Sequence, residues 1–214
     1  MSATAAASPP VVLRADGLCL AYPGRVLFQD WSTRLTPGVT LVCGEEGCGK
    51  STLLRLLAGA LAAQAGMLQV TGIPLATQAD HYRAQVFWLD PRSSAWDQVT
   101  PLACFQSLAQ QYPSLDLRLV CDLAEGLGLT PHLDKPMTML STGSRRKVWL
   151  AAAFASGAAV TLLDEPFAAL DQVSIRFVLA LLKEAAVHPS RAWVLADYTA
   201  PAGVPLAGMI ELAG

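Results

Sequence analysis

A nine-residue stretch near position 50 carries the residues of this sequence with the clearest chemical purpose. It has glycines at positions 44, 47 and 49, followed by a lysine, a serine and a threonine. Glycines let successive backbone N–H groups turn toward one anion, while lysine and a hydroxyl can bind phosphate oxygens and Mg²⁺. We therefore interpret the stretch as a phosphate-binding loop. Its members are Gly44, Glu45, Glu46, Gly47, Cys48, Gly49, Lys50, Ser51 and Thr52.

The segments on either side of this loop have the expected character. Residues 39–43 are apolar and predict a buried strand, and residues 51–61 carry leucines at helical spacing. A strand before the loop and a helix after it distinguish a phosphate site from an ordinary glycine-rich turn. The N-terminus of that helix also favours a bound anion. Cys48 is open to two interpretations, a modifiable thiol or a small residue that fits the loop.

A second candidate site lies where another apolar strand, residues 160–163, runs into Asp164 and Glu165. In phosphate-loop enzymes, a carboxylate here holds Mg²⁺ opposite the loop hydroxyl, which is Ser51. The next carboxylate, Glu165, can polarise the attacking water as a general base. An acidic turn after a strand is common by itself, and the loop upstream is what favours the functional interpretation.

Composition excludes several classes of protein. Hydrophobic residues make up 53% of the 214 residues and charged residues 15%, which favours a large core over disorder. A surface with so little charge indicates burial against partners. The net charge of −2 argues against a basic face, so we expect no nucleic-acid partner. The five cysteines contain no C-x-x-C pair, which is typical of reduced thiols in the cytoplasm.

Strand and helix patterns alternate along most of the chain, which predicts a parallel sheet with its ligand at the carboxyl ends of the strands. We expect an unstructured tail at residues 1–10 and one domain over 11–214, with a helical subdomain inserted at about 91–150. Predicted strands are 11–22, 26–35, 67–70, 73–75, 86–89, 192–196 and 209–212, and predicted helices are 102–111, 117–127 and 172–187.

Further motifs resemble those of the ATP-binding cassette (ABC) ATPases. Residues 140–144 stand where that family has its signature Leu-Ser-Gly-Gly-Gln, and residues 169–171 resemble its D-loop. Tyr22 stands where the family has an aromatic residue that stacks on adenine. The resemblance covers nearly the whole chain, from residue 13 to residue 214. Within the family, the motifs and the chain length are similar to those of bacterial heme exporters of cytochrome c maturation.

The resemblance implies an α/β fold, namely a P-loop NTPase (RecA-like) core with an antiparallel β subdomain and an inserted helical subdomain. It implies ATP and Mg²⁺ as ligands, and ATP hydrolysis coupled to transport. Two cassettes would pair head to tail, as a homodimer or a heterodimer, with ATP between one phosphate loop and Ser141 and Gly143 of the other. An integral membrane permease would hold the chain at the cytoplasmic face of the cell membrane.

Two motifs that sense nucleotide or the partner in the family depart from its pattern in this sequence. The signature has Thr142 and Ser144 in place of glycine and glutamine. The family's glutamine after the strand near residue 86 is replaced by Leu89 or Asp90, depending on the alignment. Asp90 could still bind a metal, whereas Leu89 could not. The other possibility is that this loop only packs against a partner.

A third departure concerns the switch histidine, since Asp197 followed by Tyr198 stands at its place. An ionised aspartate would repel the terminal phosphate, or it would have to protonate. The other possibility is that Asp197 turns away from the phosphate and the site works slowly. We therefore expect the protein to bind MgATP well and to hydrolyse it slowly. The alternative is that it functions together with a different, more complete cassette as partner. Two alternatives stay open from the residues alone, a soluble cassette protein without a membrane partner and a degenerate regulatory cassette that only binds ATP.

Overall fold

The computed structural model describes residues 10–90 and 93–212, so the predicted tail lies almost entirely outside the described residues. Strands and helices alternate after an opening hairpin, as the patterns predict. The strands are β1 (Leu13–Tyr22), β2 (Arg25–Leu35), β3 (Gly38–Cys43), β4 (Ala65–Val70), β5 (Ile73–Pro74), β6 (Val86–Phe87), β7 (Val160–Asp164), β8 (Ala192–Ala196) and β9 (Gly208–Glu211). The helices are α1 (Lys50–Leu57), α2 (Ala79–Gln85), α3 (Pro101–Gln111), α4 (Leu117–Gly126), α5 (Thr142–Ala155) and α6 (Gln172–Ala186).

The strands form two sheets of different kinds. The first is antiparallel in the order β2-β1-β4-β5, and Leu13 pairs with Leu35 in the hairpin of β1 and β2 at one edge. The second is parallel in the order β6-β7-β8-β3-β9. The register of the parallel sheet sets Asp164 beside Ala196, so the carboxyl ends of β7 and β8 lie level. These sheets confirm the predicted mixed α/β fold class.

The apolar core consists of two clusters that cover the two faces of the parallel sheet. Alternation along β3 sends Leu41 into the cluster shared with α3 to α6, and Val42 into the cluster shared with α1 and the antiparallel sheet. In β8, Trp193 belongs to the same cluster as Leu41, and Val194 belongs to the same cluster as Val42. Because both faces are covered, the strands are almost continuously apolar, as the sequence indicated.

A run of helices lies between β6 and β7 in the chain. Thr100 caps α3 by accepting a hydrogen bond from the N–H of Ala103 at 3.2 Å, and Pro101 occupies the first turn. Asp116 caps α4 through the N–H of Arg118 at 2.8 Å.

No helix within residues 10–90 and 93–212 has both the length and the apolar character needed to cross a membrane.

The main differences from the predicted elements are two that are shorter than expected and one helix that was not predicted. The helix expected to reach residue 61 ends at Leu57, and Gly59 follows in the left-handed conformation at φ 66°. The strand expected over residues 86–89 is limited to β6. Helix α2 was not predicted, because it is short and mostly polar. It is held in place by Tyr82, a fully buried residue whose hydroxyl donates to the carbonyl of Leu57 at 2.7 Å.

Candidate functional site

The loop between β3 and α1 has a backbone that requires glycine at its first position. Gly44 has φ 149°, and a Cβ added there would lie 2.6 Å from the Leu212 carbonyl oxygen and 2.7 Å from Cys48 Sγ. Cys48 is 3% exposed, so its side chain fills the space under the loop. This burial favours the interpretation of Cys48 as a small residue that fits, and not as an accessible thiol.

Lys50 begins α1 and is almost entirely buried, with 7% of its surface exposed. Its ammonium donates hydrogen bonds to the carbonyl oxygens of Gly44 at 2.7 Å and Glu45 at 2.9 Å. The ring of Tyr198 lies over the same ammonium, with Nζ 4.2 Å from the ring centroid. The charge of Lys50 is therefore stabilised by two carbonyls and one aromatic face.

A cavity of about 290 Å³ opens beside this loop and joins it to the second candidate site. Most of the predicted loop residues are in its lining, together with the predicted base and one residue that sequence reasoning did not place there. The lining residues are Glu46, Gly47, Gly49, Lys50, Ser51, Thr52, Glu165 and Tyr198.

Tyr198 was assigned no role by the motifs, although one signal pointed to it. It follows β8 by two residues, and β8 is the direct neighbour of β3, whose end leads into the phosphate loop. Residues just after such a strand end are expected to lie near the ligand. Desolvation, with the negative charges of Glu46 and Glu165, raises the pKa of Tyr198. Its phenol is therefore protonated at neutral pH.

Glu165 is the first residue after β7 and has an unusual backbone conformation for a residue with a side chain, at φ 46°. Its N–H donates to the Ala196 carbonyl at 2.9 Å. Its own carbonyl accepts hydrogen bonds from the Arg146 guanidinium and from the N–H of Ala168. Both polar backbone groups are therefore hydrogen-bonded, and the residue is part of the cavity lining.

Asp164 ends β7 and lines a smaller neighbouring cavity of about 40 Å³, which Leu89 and Arg146 also line. Ser51 and Asp164 offer the hard oxygen donors that Mg²⁺ prefers. Within residues 10–90 and 93–212 no cluster of three or more His, Cys, Asp or Glu side chains could hold a metal ion. A Mg²⁺ ion bound by Ser51 and Asp164 would therefore need its other ligands from substrate phosphates and water.

The signature segment forms the start of α5. Ser141 is the N-cap and accepts a hydrogen bond from the N–H of Ser144 at 3.1 Å. A Cβ added to Gly143 would lie 2.3 Å from the carbonyl oxygen of Ala169, so this position requires glycine. Thr142, which takes the place of the first signature glycine, is exposed in the single chain.

The structure does not bring every predicted residue to the cavity. Among the described residues that line it, none comes from the signature segment 141–143. Tyr22 also lies outside the lining, at the end of β1 and 45% exposed. The contacts predicted for Tyr22, Ser141 and Gly143 with nucleotide therefore remain predictions.

Asp197 lies at the end of β8, next to the candidate site. Its N–H donates to the Val42 carbonyl at 3.1 Å, and its Oδ1 accepts from the N–H of Tyr198 at 2.7 Å. Burial raises the pKa of Asp197, and the nearby charge of Glu165 adds to the effect, while Lys50 opposes it. The like charges of Asp197 and Glu165 are thus close enough to influence each other.

The fold and the loop define a P-loop ATPase cassette. A family model described as ABC transporter matches residues 28–168, which is more than half of the chain. The structure titled "Structure of ATP binding subunit of ABC transporter" has a TM-score of 0.78 at 22% identity, over 87% of this chain and 79% of that one, which supports the fold.

Two curated relatives agree with this match. The cytochrome c biogenesis ATP-binding export protein CcmA of Idiomarina loihiensis is 32% identical over 98% of this chain and 94% of its own length. The protein of the same name from Pseudomonas savastanoi pv. phaseolicola is 34% identical over 78% of each chain. The chain therefore belongs to the ABC transporter family, as an ATP-binding subunit with the ATPase character of that family.

Proposed function

We propose that this chain hydrolyses ATP in the cavity between its phosphate loop and Glu165, and that the hydrolysis drives a membrane exporter. The observation that carries the proposal is the shared cavity, because Lys50, Ser51 and Glu165 meet there from distant parts of the chain. A phosphate-binding loop alone would suit many nucleotide-binding proteins. A carboxylate held in the same cavity adds the means to activate water.

The binding half of the site would work through charge and backbone donors. Phosphate oxygens would replace the carbonyls of Gly44 and Glu45 as partners of the Lys50 ammonium. The start of α1 would add its unpaired N–H groups. Ser51 and Asp164 would hold Mg²⁺, which when bound neutralises charge on the β- and γ-phosphates.

In the hydrolytic step, the Glu165 carboxylate would accept a proton from water as the water oxygen attacks the γ-phosphorus. The bond between that phosphorus and the ADP oxygen breaks, so that the products are ADP and inorganic phosphate. Asp197 adds a second carboxylate near this base, and the charge of Glu165 contributes, after burial, to the raised pKa of Asp197. When ionised, that carboxylate would repel the γ-phosphate. We therefore expect slow turnover with intact nucleotide binding.

The position of the signature segment supports pairing of two cassettes. Ser141 and Gly143 lie outside the lining of the chain's own cavity. The N-terminus of α5 can bind an anion when a second cassette presents its nucleotide there. A head-to-tail pair, either a homodimer or a heterodimer, would enclose ATP between the two chains.

The membrane partner is proposed from the relatives. Those named above are cytochrome c biogenesis ATP-binding export proteins, so we propose a heme-exporter type of permease at the cytoplasmic face of the cell membrane. A soluble cassette without such a partner, or one that only binds ATP, is not favoured by these relatives. The presence of Glu165 in the cavity also speaks against a purely structural ATP ligand.

The first test is steady-state MgATP hydrolysis by the purified protein beside three variants. Lys50→Ala should lose both binding and turnover, while Glu165→Gln should lose turnover and keep ATP binding. Asp197→His should raise turnover if Asp197 slows the reaction. Turnover that survives Glu165→Gln would contradict the role of Glu165, and rapid turnover by the parent homodimer would contradict the expected slow site.

The membrane partner needs a separate experiment. The tagged chain, purified in detergent, should bring with it a multi-span membrane protein whose presence changes the ATPase rate. The Lys50→Ala variant serves as the control for that rate, because any ATPase from contaminants would be unaffected by the substitution. An ATPase rate that is the same with and without the membrane protein would contradict the coupling.

A further inference from the structure

Three residues near the start of α5 each contact the loop that follows β7, which runs from residue 165 to residue 171. The contacting pairs are Gly143 with Ala169, Lys147 with Asp171, and Arg146 with Glu165. Two of these contacts reach the far end of the loop. The contact of Arg146 is different, because it reaches the backbone of the proposed base itself.

The backbone of Glu165 is held from two directions. β8 binds its N–H through the Ala196 carbonyl, and α5 binds its carbonyl through the Arg146 guanidinium. The conformation at φ 46° is unfavourable for a residue with a Cβ, so surrounding contacts must maintain it. The N–H of Ala168 also donates to this carbonyl, but Ala168 belongs to the same loop, so the Arg146 guanidinium is the contact that ties the carbonyl to another element. Loss of that contact would leave the loop free to move with the Glu165 carboxylate.

We propose that Arg146 is a positioning residue for Glu165, which it holds through the backbone so that the carboxylate faces the phosphate loop. This inference rests on the proposed role of Glu165 in hydrolysis. Arg146 also connects two sites, because the same helix begins at the signature segment that would meet the partner's nucleotide. A guanidinium suits this task, since its planar fork keeps a fixed geometry toward an oxygen acceptor.

The test separates the catalytic rate from nucleotide binding. Arg146→Met keeps the apolar stem and removes the donors. Its kcat should fall by about tenfold to a hundredfold, because small displacements of a catalytic group have effects of that size. The dissociation constant for ATP is measured without Mg²⁺, because Arg146 lines the smaller cavity with the proposed Mg²⁺ ligand Asp164. It should change by less than about twofold, since Arg146 is not in the lining of the phosphate cavity. Arg146→Lys, which retains one donor, should have an intermediate kcat.

The neighbouring cations are matched controls. Arg145 pairs with Asp97 at 2.6 Å and Lys147 with Asp171 at 2.7 Å, so each has a partner other than Glu165. Arg145→Met and Lys147→Met remove the same charge from the same turn of α5. Their kcat should stay within about threefold of the parent, because each side chain pairs with a carboxylate other than Glu165. An equal loss in all three variants would overturn the specific role of Arg146.

Further outcomes separate this inference from the proposed function. If Glu165→Gln hydrolyses ATP like the parent, the role of Glu165 fails. If Glu165→Gln is inactive and Arg146→Met has the parent's kcat, the role of Arg146 is overturned while the proposed function stands. Should Arg146→Met not fold, Arg146→Lys decides. A lower kcat with unchanged ATP affinity supports the inference, and an unchanged kcat overturns it.

Discussion

At the scale of single residues, a phosphate group that binds Lys50 must displace the present partners of its ammonium. Its ammonium has two carbonyl acceptors in the loop and the Tyr198 ring at 4.2 Å. The carbonyls belong to the loop that would itself rearrange around phosphate. The ring belongs to the segment after β8, so it competes for Lys50 from outside the loop. Tyr198 should therefore lower the affinity of the site for nucleotide.

We expect Tyr198→Ala to bind ATP about threefold to tenfold more tightly, because the cation–π contact no longer has to be broken. Tyr198→Phe keeps the ring and should bind like the parent. Both are best measured as equilibrium ATP binding in a Glu165→Gln background, where hydrolysis is expected to be absent. Weaker binding by Tyr198→Ala would contradict the prediction, since it would mean that the ring contacts the nucleotide.

At the scale of secondary-structure elements, α5 and α6 are joined at their N-terminal ends. Asp171 caps α6 by accepting from the N–H of Ser174 at 2.8 Å, and it pairs with Lys147 of α5. The hydrogen bond from Lys147, followed by those from Ser174, holds the pKa of Asp171 well below its usual range. One carboxylate thus anchors the helix after the D-loop to the helix of the signature segment.

This lowered pKa predicts how the contribution of Asp171 depends on pH. The stabilisation is fully present above the unfolded-state pKa of about 4 and is lost as the pH falls toward the lower folded-state value. Asp171→Asn keeps a capping side chain and removes the charge. Its urea midpoint should lie below that of the parent at pH 7, and the difference should narrow below about pH 4. A difference that widens on acidification would contradict this assignment.

At the scale of the whole molecule, the parallel sheet joins the two apolar clusters. Leu41 and Val42 are neighbours in β3, yet they belong to opposite clusters. The phosphate loop and Glu165 are both attached to this sheet, through β3 and β7. Ligand bound at the carboxyl ends of these strands should therefore stabilise the whole chain.

We expect MgATP at about 100 times its dissociation constant to stabilise Glu165→Gln by about 2.7 kcal/mol. For a chain of this size, that corresponds to a rise of about 5–10 °C in the thermal midpoint. Lys50→Ala measured beside it should show little or no shift, because the proposed phosphate contact is removed. An equal shift in both variants would indicate that nucleotide binds elsewhere.

The sequence alone was sufficient for features that depend on contiguous residues. The phosphate loop, and the strand that ends at Asp164 and Glu165, consist of residues that are adjacent in the sequence. Their local chemistry needs no distant partner, so spacing and periodicity predict them. The alternation of apolar strands and helices likewise predicted the parallel sheet, because covered strands are apolar on both faces.

Tertiary structure decided the features that depend on contacts between distant residues. Helix α2 is anchored by the burial of Tyr82 against α1, which no local pattern reveals. Tyr198 reaches Lys50 because β8 lies beside β3, and Arg146 reaches Glu165 because α5 packs against the end of β7. Such contacts join residues 19 to 148 positions apart, and only the folded chain sets their distance.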